Sequence, residues 1–445
     1  MQTLLPANDL SGGQRGQRMP PYEPTPYAAP RTTDPVRLPR SVQFFWLITL
    51  AVWGAALLFA VWGRRAGLPQ TRWDPLSDPL LGDLMEYPAT YRLLHSPAFF
   101  NGGSPRALPA PMFSAVAYPP FAAAMLAPLY RAVSPVWSFL FAALAWLAVA
   151  LQASWSFLRQ QGLSPMLSAA LPLSLLITSF PVARLVHQGN VELVVWILVA
   201  AGSWAFLRGY NQAAAVIWGL AGATKLYPAS LLLLLLPRRR LDALLLGVAA
   251  GIGTTWMSLW WLGPTVATAW QGSLHNVFGY QDLRAAEWSL RELTANHSWF
   301  NWVKLLALLL HVPGEDLLLP YLACGAILFV WALRRLWSMP AANQLLAVTT
   351  FMVALPSVSY FHTLVHLYVP LLVLTAAAIR AQARSTALRG LQMTLLLFVP
   401  LFTPYTLLLS PQIFIFCGLT QSLVLLLLFL CALEFPFELL GEISC

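Results

Sequence analysis

The sequence predicts an all-α integral membrane protein, a bundle of about 12 transmembrane helices joined by helical outer loops. Three observations carry that prediction. Of its 445 residues, 58% are hydrophobic and only 10% charged, against roughly 25% charged in soluble domains. Mean hydropathy is +0.65. Apolar runs recur along the chain at the length of about 17 to 25 residues that a bilayer core demands. A soluble fold has too little interior to hide so much apolar surface. The composition excludes a cytoplasmic enzyme, a disordered scaffold and a secreted disulfide module.

Residues 1–42 form the first segment. Through position 40 it holds eight prolines and five arginines with no apolar periodicity, so a disordered cytoplasmic tail is expected. No short apolar stretch follows Met1, and the first span, about 44–62, is expected to act as the insertion signal. A polar stretch at 64–109 carries Asp74, Asp78, Asp83 and Glu86 with Tyr87 and Tyr91. Further spans are expected near 110–130, 135–157, 165–183, 191–207, 213–236 and 242–262, followed by a second polar stretch at 263–298. The run at 299–311 is too short to cross and contains Lys304, which suits an interfacial or re-entrant helix. Later spans fall near 316–333, 342–358, 363–380, 390–408 and 411–433. Residues 43–435 thus make one polytopic body, and 436–445 a short C-terminal tail.

The net charge of +9 does not form one patch. Its arginines cluster between spans, at Arg37 and Arg40, at Arg238 to Arg240, at Arg334 and Arg335, and at Arg380, Arg384 and Arg389. That is the positive-inside pattern, not a nucleic-acid footprint, so no nucleic acid is expected as a partner. With the tail inside, these clusters are cytoplasmic. Both long polar stretches and the region of His362 then face outward from the cell (inner) membrane, away from ATP and nucleotide sugars. Cys324, Cys417, Cys431 and Cys445 show no metal-ligand spacing,.

Ionisable groups beside or inside a membrane are functional candidates by default. In the first polar stretch Asp83, Tyr87 and Tyr91 share a face at i, i+4 spacing,, although Pro88 interrupts a helix there. These acids are equally readable as solvated loop residues or a helix cap. Gln188 and Asn190 follow Arg184 and His187 between two apolar runs. They mark either a site or a polar turn whose Gly189 permits positive φ. Lys225 lies thirteen residues before Arg238, about 20 Å along a continuous helix, where it either snorkels or meets an anion. Asn296, His297 and Ser298 read as a glycosylation sequon, an enzyme-side element or plain loop. His362 closes an apolar run, where a histidine is often simply hydrogen-bonded.

Taken in order, these segments resemble glycosyltransferase family 87. The matching stretches run from Asp83, Glu86 and Tyr87 through Tyr118-Pro119-Pro120-Phe121, Gln188-Gly189-Asn190 and Thr224-Lys225-Leu226-Tyr227-Pro228. They continue with Asn296-His297-Ser298 and Ser357-Val358-Ser359-Tyr360-Phe361-His362. The chain departs from the family in having His187-Gln188-Gly189-Asn190 where Gly-Gln-Val-Asn is usual, His297 where Gln is usual, and Val358 and Tyr360 where Pro and Trp are usual. The resemblance implies a GT-C-type bundle that moves a sugar, typically mannose, from a polyprenyl-phosphate donor to a glycolipid or glycan acceptor. Such an inverting transfer needs a carboxylate to take the acceptor's proton and positive charge where the phosphate is released. The resemblance makes Asp83 the first choice of base, with Glu86 second and Asp74 and Asp78 of the same stretch as alternatives, and Lys225 and His362 the partners of one phosphate. Glu86, Tyr87, Gln188, Asn190, Asn296 and Ser298 complete the substrate site, with membrane lipid as the surroundings and no metal or cofactor. The rival readings are a polysaccharide ligase or polymerase, expected to concentrate function in one late outer loop, and a sugar or lipid transporter, expected to show internal repeats.

Overall fold

The computed structural model describes residues 40–66, 81, 91–100, 118–131, 134–286, 290–380, 385–402 and 411–437. The chain begins with α1 (Arg40–Arg65), a short 3-10 turn (Pro97–Phe99), α2 (Pro120–Arg131), α3 (Pro135–Gln160), α4 (Pro165–Thr178), α5 (Phe180–Gln188), α6 (Glu192–Leu207) and α7 (Asn211–Thr224). A 3-10 segment (Tyr227–Leu235) leads into α8 (Leu241–Leu262), α9 (Val266–Ala286), α10 (Leu290–Ala295) and α11 (Phe300–Leu310). Next come α12 (Leu318–Leu336), α13 (Ala341–Ala354), a 3-10 turn (Phe361–Leu367) and α14 (Tyr368–Arg380). The last helices are α15 (Ser385–Leu397), α16 (Val399–Phe402) and α17 (Pro411–Glu434).

Helix starts follow from local chemistry. Ser134, Ser164 and Ser179 cap α3, α4 and α5, each hydroxyl accepting from the backbone N–H three residues on. Each of these helices also has proline in its first two positions, where the missing N–H removes no intrahelical bond.

Among the described residues five helical stretches are long and apolar enough to cross a bilayer, or six if the bent pair α4–α5 is one span. Much of their apolar surface lies outside the bundle. Trp137, Phe141 and Leu144 on α3, Ile252, Trp256 and Trp260 on α8, and Leu319 and Ile327 on α12 are all exposed. In water such faces are untenable; against lipid tails they are solvated. The chain is a multi-pass membrane protein of all-α class.

Two expected spans are each built in two pieces. The span at 165–183 bends by 56° between α4 and α5. The span at 213–236 stops at Thr224, and residues 227–235 continue as 3-10. Pro181 and Pro228 are the second residue of each second piece, where they cannot supply the N–H that a continuing helix needs. The run at 299–311 is the 11-residue α11, about 16 Å long at helical rise and short of a crossing. Its Lys304 is fully buried.

The core lies around α13 and the segment 361–379. Every residue from Ala342 to Ala354 is buried, and so is every residue of 361–379. On the other side, α7 and α8 cross at backbone contact. A Cβ on Gly219 would drive into the Gly247 carbonyl oxygen, so glycine is required there.

Candidate functional site

The broken spans bring polar side chains together inside an apolar bundle. At the end of α5, Gly189 takes the left-handed conformation (φ 66°, ψ 36°), and its N–H returns to the Leu185 and Val186 carbonyls. Glycine adopts that conformation without steric cost. Asn190 then starts the next helix, its Oδ1 accepting the Glu192 N–H at 2.9 Å. The His187–Asn190 stretch is therefore a helix-to-helix turn, and it also delivers two side chains to the interior.

The first is Gln188, whose Oε1 lies 2.9 Å from His362 Nδ1. The second is Glu192, whose side chain is 0% exposed. Its Oε2 accepts from Lys225 Nζ at 2.5 Å. Its Oε1 lies 2.6 Å from His366 Nε2 and accepts from the Tyr227 hydroxyl. Tyr227 Oη is also 3.1 Å from His366 Nε2. Gln188 with His362 and Glu192 with His366 thus form two rungs, four residues apart on both strands of the ladder. Phe180 packs edge-on against Phe361, with centroids 5.2 Å apart, and holds the turn 361–367 to α5.

A buried carboxylate is tolerable only with donors and a counter-charge, and Glu192 has both. Its place in the first turn of α6 adds the favourable end of the helix dipole. The Lys225 side chain is 20% exposed, whereas those of Glu192 and His366 are 0% exposed. Arg184, also buried, lies close enough to His362 to act on it electrostatically, as do Lys225, Glu192 and His366.

A second network adjoins the first. Asn296 Oδ1 accepts from the N–H groups of Ser298 and Ser359, both at 3.0 Å. Asn296 Nδ2 donates to the Ser357 carbonyl at 3.0 Å. Ser298 Oγ accepts the Phe300 N–H at 2.9 Å, starting α11. His297 N–H donates to the Ser359 carbonyl at 2.8 Å, and its Nε2 lies 2.9 Å from Ser359 Oγ. Burial, more than the nearby His362, pushes the His297 imidazole down to a pKa of about 3, so it is neutral. Residues 357–367 therefore carry both networks, the serines facing 296–298 and the histidines facing 188 and 192.

Of the expected site residues, the structure gathers Gln188, Asn190, Lys225 and His362 at one place and puts Asn296 and Ser298 next to it. Asp83, Glu86 and Tyr87 lie outside the described residues. Lys225 stands at a helix break, not within a continuous span, and its ion-pair partner is Glu192. Sequence reasoning missed Glu192 and His366, and gave no site role of their own to Tyr227 and His297 although both stand in the matched motifs. A signal for Glu192 existed: it is an acid at the head of the very apolar run 192–207, where a charge calls for a reason. His366 follows His362 by four residues, a spacing that on a helical turn shares one face. Among the described residues no group of three or more His, Cys, Asp or Glu is placed to hold a metal ion.

Gly189, Asn190, Val191, Leu193 and Val194, but not Glu192, line a largely apolar cavity of about 180 Å³ with Tyr118, Tyr130, Leu126 and Phe139.

Two comparisons bear on this arrangement. The family model described as Glycosyltransferase family 87 matches residues 117–359, which span α2 through α13 and include Gln188, Glu192, Lys225 and Asn296. No curated protein matches the chain.

Proposed function

The chain belongs to glycosyltransferase family 87, and from that membership and the buried cluster we propose a specific transfer. A hexose, mannose first among the candidates, passes from a polyprenyl-phosphate donor to a glycolipid or glycan acceptor at the outer face of the cell (inner) membrane. The observation that carries this reading is the placing of Lys225. A lysine within a lipid-bound bundle, partly exposed at a helix break and close enough to His362 to act on it electrostatically, suits the phosphate of a membrane-borne anion.

In this reading the sugar's anomeric carbon is attacked by an acceptor hydroxyl from the face opposite the phosphate. Asp83 takes the hydroxyl proton as the new C–O bond forms. The bond from the anomeric carbon to the phosphate oxygen breaks, and its electron pair leaves on the polyprenyl phosphate. Lys225 and His362 stabilise that developing charge. The anomeric configuration inverts, and the charge of the leaving group is met by side chains without a metal or other cofactor. Glu86 and Tyr87 bind substrate near the base. Gln188 fixes the ring of His362 through its 2.9 Å contact, and Asn190 holds the turn that presents Gln188. Asn296 and Ser298, whose side chains bond the backbone of 298, 300, 357 and 359, serve substrate by shaping the segment that carries His362.

Membranes containing the full chain, incubated with radiolabelled polyprenyl-phosphate mannose and separately with the glucose and galactose analogues, test the proposal. One donor is expected to label an extractable product, and Lys225→Met to abolish that label. Absence of labelled product from all three donors would sink the reading.

A further inference from the structure

We infer that Glu192 is a positioning residue for the donor phosphate, holding the Lys225 ammonium at a fixed point in the helix break. The inference rests on the reading of Lys225 as a phosphate contact.

Lys225 ends α7 with extended backbone (φ −144°, ψ 143°) and its N–H on the Ala221 carbonyl at 3.0 Å. From such a break a long cationic side chain tends to snorkel toward the nearest water or headgroup. Here it instead reaches a carboxylate 33 positions earlier, at 2.5 Å. That carboxylate is anchored independently of the lysine. Tyr227 and His366 both meet its Oε1, and Asn190 caps its backbone N–H. Three segments therefore hold Glu192 as a fixed reference, and the lysine takes its position from it.

The exposures assign the roles. The Glu192 and His366 side chains are wholly enclosed, while Lys225 is 20% exposed, so an arriving anion meets the lysine and not the carboxylate. An ammonium has three N–H donors. One is spent on Glu192, and two remain for phosphate oxygens. Glu192 itself, enclosed and accepting from three donors, is poorly placed to take a proton from an acceptor hydroxyl. Its contribution is geometric: a lysine already ordered loses less freedom when the phosphate binds.

The test is donor titration of the full chain in nanodiscs, with farnesyl phosphate and farnesyl-phosphate mannose as anionic probes and farnesol as the neutral one. Glu192→Gln and Lys225→Met are each expected to weaken both anionic probes by about tenfold or more, with farnesol binding and stoichiometry unchanged. Because Glu192 acts through Lys225, Glu192→Gln/Lys225→Met should bind no more weakly than Lys225→Met alone. Glu192→Asp, which keeps the charge, should return to within about threefold of the parent. Wild-type affinity in Glu192→Gln beside weakened Lys225→Met overturns this inference and leaves the phosphate reading standing. Wild-type affinity in Lys225→Met overturns both. Equal losses for farnesol and farnesyl phosphate would reduce Glu192 to a packing role. Should Glu192→Gln fail to purify, the double variant and Glu192→Asp decide, since the double strands no charge; binding weaker than Lys225→Met, or no recovery in Glu192→Asp, overturns it.

Discussion

Replacing Lys225 by methionine strands a carboxylate. Methionine reproduces most of the lysine's aliphatic stem, so the loss is chiefly the counter-charge of Glu192, whose side chain is 0% exposed. Breaking a buried pair by removing one member costs about 3–5 kcal/mol. Two features place this case at the low end: Lys225 is 20% exposed, and the Tyr227 and His366 donors to Glu192 remain. The expected destabilisation is about 3 kcal/mol. With an unfolding entropy of roughly 2.1 cal/mol/K per residue, the 445 residues convert that to a fall of about 3 °C in melting temperature. Glu192→Gln in the same chain removes the stranded charge and keeps an acceptor for Tyr227, so the double variant should recover most of the loss. Thermal melting of the detergent-solubilised protein, followed by the monodisperse fraction on size-exclusion chromatography, reads all three variants. A Lys225→Met protein that melts with the parent, or a double variant that melts below the single one, refutes the coupling of the two charges.

Asp83→Asn keeps the shape of the side chain and removes its ability to accept a proton, so transfer should fall at least about a hundredfold with donor binding unchanged. Survival of activity there, with loss in Glu86→Gln, would move the base to Glu86. Asn296→Ala removes three hydrogen bonds, two of them tying Asn296 to Ser357 and Ser359 and one closing the turn to Ser298, and leaves buried backbone groups unsatisfied, for about 3 kcal/mol or more. Limited proteolysis and melting should show it, and a parent-like melt would count against the tie. His297, neutral in the fold down to about pH 3, ionises in the unfolded chain below its ordinary value of 6.5. Its contribution is intact above that value and is lost as pH falls toward 3, reaching about 2 kcal/mol at pH 5. His297→Gln should flatten the melting temperature between pH 7 and 5; an unchanged slope would exclude this histidine as its source.

The class of the protein was legible from composition and run length alone, because the bilayer imposes its thickness on each apolar run and the positive-inside bias marks the loops. The family resemblance was legible because short polar motifs recur in order between those runs. Individual site residues were legible only in part. Gln188, Asn190, Lys225 and His362 stood out as polar groups among apolar neighbours, and each proved to lie at a break or turn. Asn296 and Ser298 stood out equally, yet their side chains are engaged with backbone, which no local pattern distinguishes from a ligand-facing pair.

What the tertiary structure alone decided is which charges meet. Lys225 and Glu192 are 33 positions apart, and Glu192 and His366 lie 174 apart. Periodicity reports only the helix on which a residue sits, not the helix that faces it. The break after Thr224 was likewise hidden, since the apolar run resumes beyond it as far as Leu236. Sequence reports that a segment is apolar enough to span. Whether the segment stays one helix depends on proline placement, and on whether neighbouring side chains can satisfy the backbone groups and charges that a break exposes. Here Glu192, itself held by Tyr227 and His366, receives the charge of Lys225 at one break. At the break after Thr178, the Ser179 hydroxyl takes the Val182 N–H.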